Sequence, residues 1–128
     1  MKNKDNCFAV NTFAEAKKII EESKKNKIKP TIFIRYYLVS GFGVEWIRTL
    51  KLQLLKLFKN NSYNLYVDAN NDYGLAIELI RIKIQYIKLK CNPIILEKIN
   101  QIAKKNNVLL NPTFHIVDLS NKKIKINF

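Results

Sequence analysis

The sequence has little of what punctuates or cross-links a chain. Its 128 residues include Gly 3, Pro 3 and Cys 2. So little glycine and proline excludes fibrous and low-complexity architectures. Cys7 and Cys91 form no CxxC pair, and the single His115 is near neither in sequence. A thiolate zinc site therefore lacks ligands, and neither a metal nor another cofactor is expected. Two cysteines in a core-forming chain read as small buried residues in a reducing compartment. No run approaches the length of a membrane span, and Met1 to Val10 contains no apolar stretch of signal-peptide length. The expected location is the cytoplasm or a matrix-like compartment, with no membrane partner.

Arginine is also scarce. Only Arg35, Arg48 and Arg81 occur, although the net charge is +13 and the sequence pI is about 9.8. Such a charge admits polyanion partners. However, Ile, Lys and Asn together supply 54 of the 128 residues. That skew fits an A/T-rich coding sequence, which raises lysine everywhere without a functional cause. Dedicated phosphate and base recognition favours the planar fork of arginine. Compositional skew is therefore the preferred account, and association with RNA or the ribosome is the alternative.

What is present is globular. Hydrophobic residues make up 48% and charged residues 26%, and the length suits one domain over 1–128. Short apolar runs alternate with helix-period segments over 7–112, as in consecutive parallel βα units. Expected strands are Cys7–Val10, Thr31–Leu38, Asn64–Asp68, Gln85–Leu89 and Val108–Leu110. Expected helices are Thr12–Lys25, Val44–Lys59, Tyr73–Lys83 and a last one opening at Asn92-Pro93 and closing near Lys105. Thr12 and Glu15 have capping-box spacing. Asn70-Asn71-Asp72 offers cap oxygens, and Asn92 caps a helix with Pro93 in its first position. In the second helix Ile47, Leu50, Leu54, Leu57 and Phe58 form a wide apolar stripe, so this helix is expected to be well buried. Residues 113–128 break the rhythm. Thr113–Val117 and Lys123–Asn127 alternate and read as a terminal β-hairpin.

The strands are not apolar throughout, as strands covered on both faces are. Leu65 and Val67 oppose Asn64, Tyr66 and Asp68; Ile87 and Leu89 oppose Tyr86, Lys88 and Lys90. Helices are therefore expected mainly on one face. The fold expectation is a partial β/α barrel of four to five units plus the hairpin. A doubly wound, flavodoxin-like parallel sheet is the alternative, and strand order separates the two.

Residues Phe8 to Ile34, FAVNTFAEAKKIIEESKKNKIKPTIFI, resemble the opening βαβ unit of class II fructose-bisphosphate aldolases. There a short strand ends in Asn, then come a helix with alternating Ala and Glu and a buried strand. Residues Leu65 to Lys90, LYVDANNDYGLAIELIRIKIQYIKLK, resemble the family's next landmark, a strand ending in Asp-His-Gly followed by helix and strand. The likeness covers Phe8 to Pro112, about half of a full barrel. It implies that Asp68 matches the family's proton-transfer carboxylate. The zinc-binding His that follows is matched by Ala69, and the later zinc ligands and phosphate-binding Gly-Ser segment have no counterpart here. The resemblance therefore implies a shortened, non-catalytic relative.

Asp68 and Lys88 lie near the C-terminal strand ends, where ligands gather in such folds. They are the candidate catalytic residues of a small lyase acting on a sugar phosphate, Lys88 through a Schiff base. A plain ion pair is the simpler reading, because a neighbouring carboxylate keeps lysine protonated. Arg35, Tyr37, Tyr66, Asp68, Tyr86 and Lys88 form a candidate binding face, expected to be covered by a second copy or a protein partner. Capping of that face by the hairpin is the structural alternative. Ser40, Gly41 and Gly43 precede a helix as a candidate anion-binding turn, although a lone GxG is a weak signal and an ordinary βα turn is the preferred reading. The leading functional expectation is a binding or protein-interaction domain.

Overall fold

The computed structural model describes residues 6–59 and 62–118. They form a six-stranded, all-parallel sheet with five helices. In chain order the elements are β1 (Cys7–Val10), α1 (Phe13–Lys25), β2 (Thr31–Ile34), α2 (Tyr36–Phe42) and α3 (Val44–Leu57). They continue with β3 (Asn64–Asn70), α4 (Tyr73–Arg81), β4 (Tyr86–Leu89), α5 (Pro93–Lys105), β5 (Leu109–Leu110) and β6 (Ile116–Asp118). The sheet order is β5-β4-β3-β2-β1-β6. Consecutive strands from β1 to β5 are thus neighbours, and β6 joins the free side of β1.

Local chemistry starts the helices where the sequence indicates. The Thr12 hydroxyl accepts from Glu15 N at 3.1 Å, and Glu15 Oε1 accepts in return from Asn11 N at 2.6 Å. Asp72 accepts from Leu75 N and Asn92 from Ile95 N, with Pro93 in the first turn of α5. Each cap satisfies an amide that the helix itself cannot.

The helices share one face of the sheet. Phe8, Val10, Ile32, Ile34, Leu65, Val67, Ile87 and Leu89 meet Ile19 and Ile20 of α1, Ile47 and Leu54 of α3, Leu79 and Ile80 of α4, and Ile99 of α5. Ile19, Ile47, Leu54 and Leu79 are 0% exposed, and burying a side chain of that size contributes about 1.5–3 kcal/mol. The stripe of α3 is shorter than its sequence suggests, because Leu57 is 50% exposed.

The opposite face holds a second, smaller core. Cys7, Ala9, Phe33 and Tyr66 are buried there with Tyr86, Phe114 and Ile116 packed against them. The chain supplies this cover itself. Residues 111–115 run from the β5 edge to the β6 edge across the face opposite the five helices, and Phe114 sits on Tyr66 and Tyr86 at ring distances of 6.0 and 4.9 Å. Six peptide steps from Leu110 to Ile116 reach at most ~21 Å. A flat sheet would separate the two edges by about 24 Å. The sheet is therefore curled, with the helices outside and this strap across the hollow.

The strap begins with a side-chain substitute for backbone pairing. Asn111, at φ 51°, turns the chain away after β5. Its Oδ1 accepts from Leu89 N at 2.8 Å and its Nδ2 donates to Leu89 O at 3.0 Å, which continues the ladder along β4.

Two expectations fail. The second strand stops at Ile34, and Tyr36–Phe42 is helix rather than strand and turn. The expected first hairpin arm, Thr113–Val117, is instead the strap and the start of β6, and β6 pairs with β1 in parallel. The other arm, Lys123–Asn127, lies outside the described residues. No helix among the described residues is long and apolar enough to cross a membrane.

Candidate functional site

Parallel register aligns four polar residues at the C-terminal ends of neighbouring strands. Val10 is level with Ile34, Ile34 with Val67, and Asp68 with Lys88. The next residue along β1 and β2 brings Asn11 and Arg35 to the level of Asp68, because Arg35 keeps an extended backbone at φ −70°, ψ 151°. Strand alternation then places Arg35 above Phe33, Asp68 above Tyr66 and Lys88 above Tyr86. The result is a row Asn11–Arg35–Asp68–Lys88 on the hollow face, with an aromatic layer beneath it.

The aromatic layer is tight and dry. Phe33 and Tyr66 meet edge to face at 4.7 Å, and Tyr66 and Tyr86 at 6.2 Å. Burial pushes the Tyr66 hydroxyl up to about 12, with smaller contributions from Cys7 and Asp68. Burial alone raises the Cys7 thiol to about 12. Both groups are neutral at pH 7, so the charge of the site lies in the row above them.

Arg35 is the best-anchored member. Its Nη2 lies 2.9 Å from Asp118 Oδ2 on β6, across the small Ala9 of β1. Its Nη1 is buried and has no hydrogen-bond partner among the described residues. Asp68 does not form the expected ion pair with Lys88. Its Oδ1 instead accepts from Asn70 N at 2.8 Å, at a register shift between Asp68 and Asn70. A bulge of this kind re-aims a side chain at a strand end. Lys88 is half-buried.

Tyr37 lies outside the row. It is 58% exposed on α2, but its hydroxyl donates to Asn11 Oδ1 at 2.7 Å and ties α2 to the same rim. Ser40 and Gly41 do not form an anion-binding turn. They lie inside α2, and Gly43 N already donates to Val39 O at 2.7 Å. The aromatic face is not open to a second copy either. Tyr66 is 3% exposed, because Phe114 of the same chain covers it. Ala69 turns its side chain into the helix-side core. Among the described residues no three His, Cys, Asp or Glu side chains converge on a metal position.

Sequence reasoning missed three contributors. Asn11 was visible as a strand-ending Asn but was given no role. Phe114 and Asp118 carry no local signal, because their positions follow from the path of the strap.

Comparison with protein-family models, with curated proteins and with solved structures finds no match to this chain.

Proposed function

We propose that this chain is a non-catalytic binding domain on a partial β/α barrel, taking a small phosphorylated or carboxylate ligand at the C-terminal rim of its hollow face. The strand order from β1 to β5 lacks the reversal of a doubly wound sheet, and the helices share one face. Both features support the barrel reading. The matched residues of the aldolase resemblance support kinship, and Ala69 in place of the zinc-binding His supports loss of aldol chemistry.

The observation that carries the ligand class is Arg35. Asp118 holds its guanidinium through one nitrogen, and the other is buried without an acceptor among the described residues. An unsatisfied charged donor costs energy in isolation, and an anion oxygen is the partner that relieves it. Lys88 two strands away adds a second cation, and Asn11 adds an amide for orientation.

Isothermal titration with fructose 1,6-bisphosphate and with inorganic phosphate tests the reading. Binding is expected below millimolar Kd, and Arg35→Ala should weaken it by about ten- to a hundredfold, the worth of a charge-assisted contact. Absence of heat for both probes at millimolar concentration refutes the site. Borohydride reduction in the presence of dihydroxyacetone phosphate should leave Lys88 unmodified; an adduct there would make the domain a lyase.

A further inference from the structure

Among the described residues, exposed positive charge gathers at one end of the sheet. Each helix runs back against the strands, so the C-terminal ends of α1, α3, α4 and α5 gather at the end of the sheet opposite the polar row. The α1–β2 turn carries Lys24, Lys25, Lys27 and Lys29, all exposed. The α3–β3 connection carries exposed Lys56 and Lys59. Arg81 and Lys83 close α4, and Lys104 and Lys105 close α5, again exposed. Of the described carboxylates near this end, Glu22 pairs with Lys25 and Glu78 with Arg81, which leaves Glu21 among the described residues.

Contacts join the four helix ends into one rim. A cleft lined by Glu21, Glu22, Lys24, Lys25, Leu57 and Phe58 lies between α1 and α3. Lys51 of α3 donates to the carbonyl of Ile82 at 2.5 Å, beyond the end of α4. Lys83 Nζ reaches Asn106 Oδ1 at 3.3 Å, beyond the end of α5. Packed helices lie about 8–10 Å apart, so the rim is an arc of roughly 25–30 Å.

The helix dipole explains part of this pattern. Cations in a last turn offset the partial negative charge there, and Lys24, Lys25, Arg81, Lys104 and Lys105 need no other cause. Lys27 and Lys83 do. They sit one residue past the C-caps Asn26 and Ile82 in left-handed backbone, at φ 56° and 61°, where Gly or Asn is strongly favoured over a residue with a long side chain. Compositional skew does not account for them. Asn is as favoured by an A/T-rich code as Lys, and Asn does occupy the equivalent position, Asn107, at φ 59°. At two of these three equivalent turns the chain carries a cation where a more comfortable residue was equally available.

We infer that this basal rim binds the phosphate backbone of single-stranded nucleic acid without reading its sequence. Lysines act as point charges on phosphate rather than as forks on base edges, and the one arginine of the rim is engaged by Glu78. The rim is curved. A flexible strand follows such an arc, whereas a stiff duplex touches it only where it is tangent. The crowding of like charge also appears inside the rim, where burial and then Lys83 lower the pKa of Lys51. The surface lies at the opposite end of the sheet from Arg35, so it stands or falls apart from the small-ligand site.

Fluorescence anisotropy of the full chain with a labelled 20-nucleotide oligo-U RNA, at several KCl concentrations, tests the inference. Binding should weaken with salt by about −0.7 in log–log slope per phosphate engaged. Lys27→Asn with Lys83→Asn should make that slope shallower by about 1.4 and weaken binding roughly tenfold. Asn suits left-handed backbone, so the unfolding midpoint of this variant should be unchanged or higher. Lys98→Gln, at an exposed mid-helix position of α5, should leave the slope as it is. The inference is overturned if no RNA binds at 50 mM KCl, or if the double variant binds like the parent. It is also overturned if phosphatidylserine vesicles, a poly-glutamate peptide or a 20-bp duplex bind at least as tightly as the single strand.

Discussion

Asp118 and Arg35 meet at 2.9 Å although their strands are not neighbours, since β1 lies between β6 and β2. The contact passes over Ala9, which is level with Asp118 on one side and Phe33 on the other. It fixes the guanidinium in place and holds the outer strand from inside the hollow. The two side chains keep 27% and 49% exposure, so solvent screens the pair. The Arg35 contact should therefore account for only about 0.5–1 kcal/mol of unfolding free energy, as a double-mutant cycle of Arg35→Ala with Asp118→Asn reads it in urea titration. A coupling several times larger would mean that solvent screens the pair less than its exposure indicates. Arg35→Ala should cost more than Asp118→Asn, because it also removes the packed stem.

Phe114 is the plug of the second core. It contacts both Tyr66 and Tyr86, and no helix among the described residues covers that face. Phe114→Ala should destabilise the fold by about 2–4 kcal/mol, the lower part of the range for a buried ring because Phe114 is half-buried. Acrylamide should then quench tyrosine emission more strongly at folded concentrations of urea. A loss below about 1 kcal/mol would mean that the strap lies over the face without contributing to its burial.

How far the fold was legible depended on the range of the forces involved. The caps at Thr12, Asp72 and Asn92 act within four residues, and the starts of α1, α4 and α5 follow from them. The one-sided alternation of Leu65, Val67, Ile87 and Leu89 against Tyr66 and Tyr86 was also readable, since burial imposes it residue by residue. The α2 helix was not. Tyr36, Tyr37 and Val39 favour strand locally, but folding Tyr36–Phe42 into a helix lets Leu38 and Val39 bury against the core. Tertiary packing outweighs a propensity of this size. The β1–β6 pairing was equally hidden, because alternation in Ile116–Asp118 says nothing about partner or direction. In the site, Asp68 and Lys88 were readable from strand ends and Arg35 from strand alternation alone, since its strand was expected to run on to Leu38, whereas Asp118 depended on that long-range pairing.

Asn111 separates two effects that coincide at one residue. Its left-handed backbone turns the strap, and its amide completes the edge of β4 at Leu89. Glycine keeps the first function and removes the second. Asn111→Gly should cost about 1–3 kcal/mol, because Leu89 N and O lose their partners, and the Leu89 amide should exchange faster by hydrogen-exchange measurement. Asn111→Ala should cost about 1 kcal/mol more, since alanine resists positive φ. Equal losses would assign the whole effect to the amide.

Alkaline pH should unfold this protein through its second core. Cys7 and Tyr66 are acids whose protonated forms burial favours, and both rise to about 12 from ordinary values of 9.0 and 10.0. Between the two values the native state holds a proton that the unfolded chain has released. Raising pH in that window therefore favours unfolding. Stability should be flat in these groups below about pH 9, fall first through Cys7 and then, above about pH 10, through Tyr66 as well. The combined loss approaches several kcal/mol by about pH 12. Cys7→Ala should remove the earlier part of the decline and leave the later part, as read from urea midpoints at each pH. The same burial predicts that, at pH 8, a maleimide labels half-buried Cys91 in the native protein while Cys7 reacts only on unfolding. Native labelling of Cys7 at the rate of Cys91 would show the hollow face to be open, and the alkaline decline should then be absent too.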